Sequence, residues 1–202
     1  MLLGIAGAKR SGKTLLASLL AERHGLAHLS FAAPIRAFVA DLLGGTLDQL
    51  ELEKETPIAW LEGVTPRHMM QTLGTEWGRQ MVCQQLWVRI CMRKALLAGR
   101  AVISDVRFPN EAHAIHEAGG KVIRLLRWAD ASDSHISERP LDGSLIDYEL
   151  ANDSESPETL LRAVEALLPV LRPAVPRCDP GSIDAAVEAL MPPGTPPNET
   201  GD

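Results

Sequence analysis

The sequence predicts an α/β fold, with a parallel sheet carrying helices on both faces. Three observations lead there. Short apolar runs of strand length recur along the chain: LLGIA at 2–6, AVISD at 101–105 and KVIRLL at 121–126. Segments with helical spacing separate them, so strand and helix alternate. A glycine-bearing loop, Gly7–Thr14, joins the first run to the first helix.

The elements follow in order. Leu2–Ala6 suits a buried strand, and Lys13–Arg23 a helix with Leu15, Leu16, Leu19 and Leu20 on one face, stopped at Gly25. Ala27–Phe31 suits a short strand. Pro34 fits a first helical turn, and the apolar run continues to Gly44-Gly45. The acidic stretch Asp48–Glu62 reads as surface helix plus loop. Thr65-Pro66 is a cap followed by an N1 proline and starts a helix to about Met81. Another helix runs from Gln85 to Leu97. After the strand Ala101–Asp105, Pro109–Ala118 is a helix closed by Gly119-Gly120, and Lys121–Leu126 is the next strand. Trp128–Ser144 reads as a loop or lid, Ser144–Leu150 as holding a last strand, and Pro157–Leu168 as a helix. Eight of the fourteen prolines fall in 169–202. We therefore expect a working domain over 1–168 and a Pro-rich appendage over 169–202. The appendage holds a short helix over Ser182–Leu190, capped by Ser182, and a disordered end from Pro192.

Composition bounds the function. A chain of 202 residues, 46% hydrophobic and 23% charged, is ordinary for one globular domain with appendages. No apolar run approaches the roughly 18–20 residues of a membrane span. MLLGIAGAKR is apolar and then basic, the reverse of a signal peptide. Three cysteines without a CxxC suit reduced thiols, hence a cytoplasmic protein with no membrane partner. The net charge of −6 argues against a nucleic-acid partner. Its distribution says more. Residues 1–36 carry five bases against one acid, 65–107 seven against two, and 129–158 one against nine. Two basic islands in an acidic chain can fold into one small anion site; the plainer alternative is a set of solvated faces.

Gly7-Ala8-Lys9-Arg10-Ser11-Gly12-Lys13-Thr14 matches G-x-x-x-x-G-K-[ST] without a mismatch. Gly7 and Gly12 let the backbone wrap a phosphate with its N–H groups pointing inward. The helix that follows adds its positive end. Lys13 would reach the β- and γ-phosphates, and Thr14 would set its hydroxyl on Mg²⁺. Lys9, Arg10 and Ser11 complete the loop, the two bases raising its positive potential. An ordinary Gly-rich strand–helix turn is the alternative, but a buried strand before the loop and an amphipathic helix after it favour the phosphate loop. Asp105, closing AVISD, fits the second acid such a site needs for Mg²⁺; the plainer reading, compatible with it, is a strand-terminal Asp or a cap for the helix starting at Pro109. Arg107 falls near the same end of the sheet, as a phosphate ligand or a salt-bridge partner. Arg67, Gln71, Thr75, Glu76 and Arg79 recur at spacings of three or four, making a polar helix face for an acceptor or a solvated face. Trp77 and Trp87 read as core.

Taken together, certain segments resemble the bacteriophage deoxynucleoside monophosphate kinases. These are GIAGAKRSGKT, FAAPIR (Phe31–Arg36), Arg67 with QTLGTEWGR (Gln71–Arg79), Trp87-Val88, SDVRFPNEA (Ser104–Ala112) and HISE (His135–Glu138). The resemblance runs from Leu2 to about Leu168. It implies a three-layer P-loop kinase fold with a five-stranded parallel sheet, a monophosphate-binding region and a lid. It implies transfer of a phosphoryl group from ATP, with Mg²⁺, to a deoxynucleoside monophosphate. Gly7, Gly12, Lys13 and Thr14 would hold ATP and metal. Arg36, Arg67, Gln71, Thr75, Glu76 and Arg79 match acceptor-region motifs. Asp105 and Arg107 would sit between the two phosphate chains. Arg127 is the lid-side arginine expected to be catalytic, with Arg124 and Arg139 as other candidates. His135, Ser137 and Glu138 match a motif to which we attach no physical role. A homodimer is left open.

Other residues carry plainer readings. His113 and His116 have metal-like spacing but no third ligand, so surface histidines are expected. Cys83 and Cys91 read as small buried apolar residues. Asp147, Asn152 and Asp153 read as cap or turn residues, with the loop near enough to approach an adenine. The competing functions are another small-molecule P-loop kinase, acting on a sugar acid, shikimate or dephospho-coenzyme A, and an acceptor-independent ATPase module.

Overall fold

The computed structural model describes residues 1–126, 141–152, 156–169, 178–179 and 181–191. Contacts divide the chain into two units, Met1–Ser30 with Val88–Pro192, and a second built on Phe31–Trp87.

The first unit holds a five-stranded parallel sheet: β1 (Leu2–Gly7), β2 (Ala27–Leu29), β3 (Ala101–Val106), β4 (Lys121–Leu126) and β5 (Tyr148–Ala151). The order is β2-β3-β1-β4-β5, so β1 lies at the centre. All six residues of β3 are buried, which is why that strand reads as a continuous apolar run. Helices α1 (Lys13–His24) and α7 (Pro157–Leu167) cover one face. There Leu16, Ala17, Leu20, Leu160, Leu161 and Val164 pack on Leu3, Ile5, Ile123 and Leu125. The other face receives α6 (Pro109–Glu117), whose Ile115 Cδ1 lies 2.7 Å from where a Cβ on Gly4 would stand. The expected three layers are present.

One irregularity matters for the site. Gly4 pairs with Ile103 and Ala6 with Val106, so β1 advances two residues while β3 advances three. The extra residue falls in Ser104–Asp105, a β-bulge of the kind that re-aims a side chain at a strand end.

The second unit holds α2 (Ala33–Leu42), α3 (Leu47–Glu53), α4 (Pro66–Thr72) and a ten-residue π-helical segment, Leu73–Val82. Thr65 caps α4, accepting from the His68 N–H at 3.2 Å, as its sequence signature requires. Helix α5 (Leu86–Ala98) begins in this unit and continues into the first.

Trp87 is buried, as expected, and its Nε1 donates to the Gly74 carbonyl at 2.8 Å. Trp77 departs from the expectation of a core residue. It is 45% exposed, its ring centroid 6.2 Å from that of Trp87.

The short helix expected near the end is α8 (Ile183–Leu190). Ser182 stands at its N-cap position but makes no capping bond; its hydroxyl donates back to the Asp179 carbonyl. Ile183, Val187 and Met191 are buried, Arg89 donates to the Met191 carbonyl, and Arg93 pairs with Asp184. By these contacts α8 is part of the first unit, docked beside α5.

Candidate active site

The C-terminal end of β1 opens directly into the loop Gly7–Thr14. The loop alternates in handedness, with positive φ at Gly7 (143°), Arg10 (64°) and Gly12 (95°). A backbone of that kind turns successive N–H groups toward a common centre. Gly7 is also sterically required, because a Cβ there would lie 2.6 Å from the Leu125 carbonyl oxygen and 2.9 Å from Ser11 Oγ. Arg10 holds a left-handed conformation without being glycine, a local strain of about 1 kcal/mol.

Helix α1 begins at Lys13 with no side-chain cap and no acid in its first turn. Its first N–H groups and the positive end of its dipole are thus offered to an external anion. Lys13 Nζ curls back over the loop, donating to the Gly7 carbonyl at 2.8 Å and the Ala8 carbonyl at 2.5 Å. Ser11 is fully buried, and among the described residues its hydroxyl finds no hydrogen-bond partner. An orphaned hydroxyl at this point is costly unless a ligand satisfies it. The uncapped helix, the orphaned hydroxyl and the glycine cradle together fit a bound phosphate chain. Thr14 is exposed at the start of the helix.

Asp105 lies beside this loop in sheet order, on the bulged end of β3. It is 8% exposed, and its Oδ2 accepts a 2.6 Å hydrogen bond from Ser30 Oγ, itself buried. The neighbouring Ser104 hydroxyl meets His28 Nε2 at 2.9 Å, while Ser18 meets the other ring nitrogen at 3.3 Å. Residues at the end of β2 therefore hold both members of the Ser104–Asp105 bulge. The N-terminus of α6 is served by the buried Glu111 carboxylate, which accepts from the N–H groups of Arg107 (2.8 Å) and Phe108 (3.1 Å). Arg107 itself is exposed.

In the second unit, Arg36 stands on α2, and Arg67 and Gln71 on α4. Arg67 pairs with Glu55 at 2.8 Å. Thr75, Glu76 and Arg79 fall in the π-helical segment, where hydrogen bonds close over five residues rather than four. A step of four, as from Thr75 to Arg79, still keeps residues near one side of such a helix, whereas a step of three, as from Glu76 to Arg79, departs from it. Thr75 and Glu76 are exposed, whereas Gln71 and Arg79 are half-buried.

Arg127, His135, Ser137, Glu138, Arg139 and Asp153 lie outside the described residues, as does most of the expected lid. Arg124 is engaged by Glu149 at 2.7 Å and donates to the Leu141 carbonyl. His113 is exposed, and His116 bonds Asp147 at 2.8 Å. Among the described residues no cluster of three or more His, Cys, Asp or Glu side chains is arranged for a metal ion. Burial raises the thiol pKa of Cys91 strongly, so it is an inert core residue; Cys83 is half-buried.

Asp147 is more than a turn residue. It accepts from Lys121 Nζ (2.7 Å) and the Val122 N–H (2.8 Å) as well as pairing with His116. Asn152 likewise departs from a cap or turn, for its side chain donates to the Ser11 carbonyl of the loop at 2.9 Å. Ser30, His28 and Asn152 were not singled out as site residues by sequence reasoning. Ser30 precedes the FAAPIR motif, a positional signal; nothing in the sequence ties Asn152 to a loop 141 residues away.

Comparison with known proteins decides the family. The family model described as deoxynucleotide monophosphate kinase matches residues 50–162. The chain belongs to the deoxynucleotide monophosphate kinase family. It is 38% identical over 156 residues to a protein of Acanthamoeba polyphaga mimivirus described as a deoxynucleotide monophosphate kinase, covering 68% of this chain and 80% of the relative. It is 32% identical over 100 residues to the deoxynucleoside-5'-monophosphate kinase of Escherichia phage T5, covering 44% of this chain and 40% of that one. Among solved structures, a shikimate kinase from Aquifex aeolicus aligns with a TM-score of 0.47 at 15% identity, over 84% of this chain and 96% of that one. The family match takes in the π-helical segment and the Ser104–Ala112 segment, the two stretches that carried the resemblance most specifically.

Proposed function

We propose that this member of the family transfers the γ-phosphoryl group of ATP to a deoxynucleoside monophosphate, giving ADP and a deoxynucleoside diphosphate. The observation that carries the reading is the uncapped, glycine-cradled loop with its orphaned Ser11 hydroxyl, in a chain of this family.

Gly7, Lys9, Arg10, Ser11, Gly12, Lys13 and Thr14 would bind the phosphates of ATP. On binding, phosphate oxygens would replace the Gly7 and Ala8 carbonyls as acceptors for Lys13. Thr14 and Asp105 would hold Mg²⁺, which when bound neutralises charge on the phosphates. Arg36, Arg67, Gln71, Thr75, Glu76 and Arg79 would hold the acceptor, Arg67 exchanging its Glu55 partner for phosphate. An acceptor phosphate oxygen attacks the γ-phosphorus, and the bond from that phosphorus to the bridging oxygen of ADP breaks. Because the second phosphate pKa is about 6, the attacking oxygen is already ionised and no general base is needed. Lys13, Arg107 and Arg127 would neutralise charge as the two phosphate chains approach. No helix among the described residues is long and apolar enough to cross a membrane. Our reading places the reaction in the cytoplasm, the host's for a viral chain, where a supplier of DNA precursors would act.

A coupled assay for ADP tests this, run with each deoxynucleoside monophosphate and its ribo counterpart and without acceptor. ADP release that requires a deoxynucleotide, and is abolished in Lys13→Ala with the melting temperature kept, is the expected result. Release without any acceptor would establish the ATPase alternative instead, and near-normal turnover in Lys13→Ala would refute the site.

A further inference from the structure

The residue after β5 joins two parts of the first unit. The Asn152 N–H donates to the Leu126 carbonyl at 2.7 Å, carrying the β4–β5 pairing one residue beyond the strand. Its side-chain Nδ2 donates to the Ser11 carbonyl at 2.9 Å. The same nitrogen stands 2.8 Å from where a Cβ on Gly12 would be. The carboxamide therefore fills the space beside Gly12, and any larger residue there would displace it.

The consequence follows from peptide geometry. Ser11 C=O and Gly12 N–H belong to one planar unit, and no peptide bond among the described residues is cis. In a trans peptide the two groups point in opposite directions. A carbonyl held outward by Asn152 fixes the Gly12 N–H on the opposite side. Gly12, at φ 95°, is the residue most free to let that peptide rotate. The tether acts at the point of the loop with least resistance of its own.

We infer that Asn152 is a positioning residue for nucleotide binding, holding the Ser11–Gly12 peptide in the orientation that presents the Gly12 amide to a phosphate. The inference rests on the reading of Gly7–Thr14 as the ATP loop. Asn152 does not touch the reacting atoms. It restricts the loop before nucleotide arrives, so its loss appears in nucleotide affinity and leaves the acceptor unaffected.

Two variants test this, with ADP as the binding probe. Asn152→Ala removes the donor. Asn152→Asp keeps the shape and the backbone bond to Leu126, but turns an acceptor, and a negative charge, toward the carbonyl. Calorimetry should show ADP affinity falling about fivefold in Asn152→Ala, the worth of one neutral hydrogen bond. The loss should be greater in Asn152→Asp, and that excess should shrink as salt is raised. The KM for ATP should rise in both, with kcat at saturating ATP and the KM for deoxynucleotide within twofold of wild type. Wild-type ADP affinity in both variants overturns the inference alone. Equal losses for ADP and the deoxynucleotide, in step with a lower melting temperature, also overturn it, since a merely structural role would do that. Failure of the wild-type chain to bind ADP overturns the reading of the loop and the inference with it.

Discussion

Substitution of Gly78 by alanine isolates the packing that shapes the π-helical segment. A Cβ at Gly78 would stand 2.6 Å from Trp87 Cζ2 and Nε1 and 2.7 Å from Cε2. The ring cannot simply retreat. Trp87 is 6% exposed and its Nε1 is committed to the Gly74 carbonyl. Inserting a methyl into a filled site costs about 1–3 kcal/mol. Breaking the indole hydrogen bond adds about 1 kcal/mol, and the better helix propensity of alanine returns about the same. The net destabilisation is about 2 kcal/mol, which lowers the melting temperature of a chain of this length by about 4–8 °C. Thermal unfolding followed by circular dichroism measures it. Gly143→Ala is the control, since a Cβ there meets nothing within 4 Å. The decisive arm is the double mutant. Leucine ends at Cδ and has nothing at the positions of the indole atoms that the new methyl strikes, so in a Trp87→Leu background Gly78→Ala should cost under about 0.5 kcal/mol, a coupling of more than 1 kcal/mol. A Gly78→Ala variant melting within 1 °C of wild type, or equal costs in both backgrounds, would refute the steric argument.

Two further outcomes are expected. Ser30→Ala withdraws the hydroxyl that donates to the buried Asp105 carboxylate at 2.6 Å. It should cost about 1–3 kcal/mol of stability and raise the Mg²⁺ concentration for half-maximal turnover, with Ser30→Thr restoring both; an unchanged Mg²⁺ titration would remove Ser30 from the metal side. Asp147 governs acid stability. Burial pushes its carboxyl up, but hydrogen bonds from Lys121, the Val122 N–H and His116 outweigh burial and hold its pKa below the usual carboxylate value. A depressed folded-state pKa stabilises the native state above the unfolded value, and that contribution is lost as pH falls through the folded value. Melting temperatures measured downward from pH 6 should therefore fall more steeply below about pH 4 in wild type than in Asp147→Asn. Because Lys121 pairs with Leu3 at the end of the sheet away from the loop, the KM for ATP should not change.

How much of this was legible in the sequence depends on the range of the interaction. The strands, the loop and most helix ends were readable because their causes are local. The causes are a continuous apolar run, a Thr-Pro start and a glycine stop. The loop motif was readable for the same reason, its eight residues being consecutive. The spacing of Arg67 to Arg79 suggests one continuous α-helix, whereas the segment from Leu73 to Val82 is π-helical. What produces that stretch is not local: Gly74 and Gly78 accommodate Ile35 and Trp87, thirty-nine and nine residues away, separations equally invisible to a periodicity count. Ser30, His28 and Asn152 escaped because each acts through a partner brought near only by the sheet. The Asp105 bulge escaped because register is a property of two strands.

The same distinction separates the parts of QTLGTEWGR. Gly74 supplies a carbonyl for Trp87, and a Cβ on it would stand a tight 3.1 Å from Ile35 Cδ1, while Gly78 admits the indole ring. These two glycines and Trp87 are explained entirely by packing within the second unit. Thr75 and Glu76 are exposed, so packing does not dictate their identity. A π-helical turn is a costly arrangement that tends to persist where a site needs it. Here the indole is the wedge that holds the turn, and the polar residues are what the turn presents. A substitution among the glycines should therefore act on stability first and on the acceptor through it, whereas the exposed Thr75 or Glu76 can be changed with the melting temperature intact.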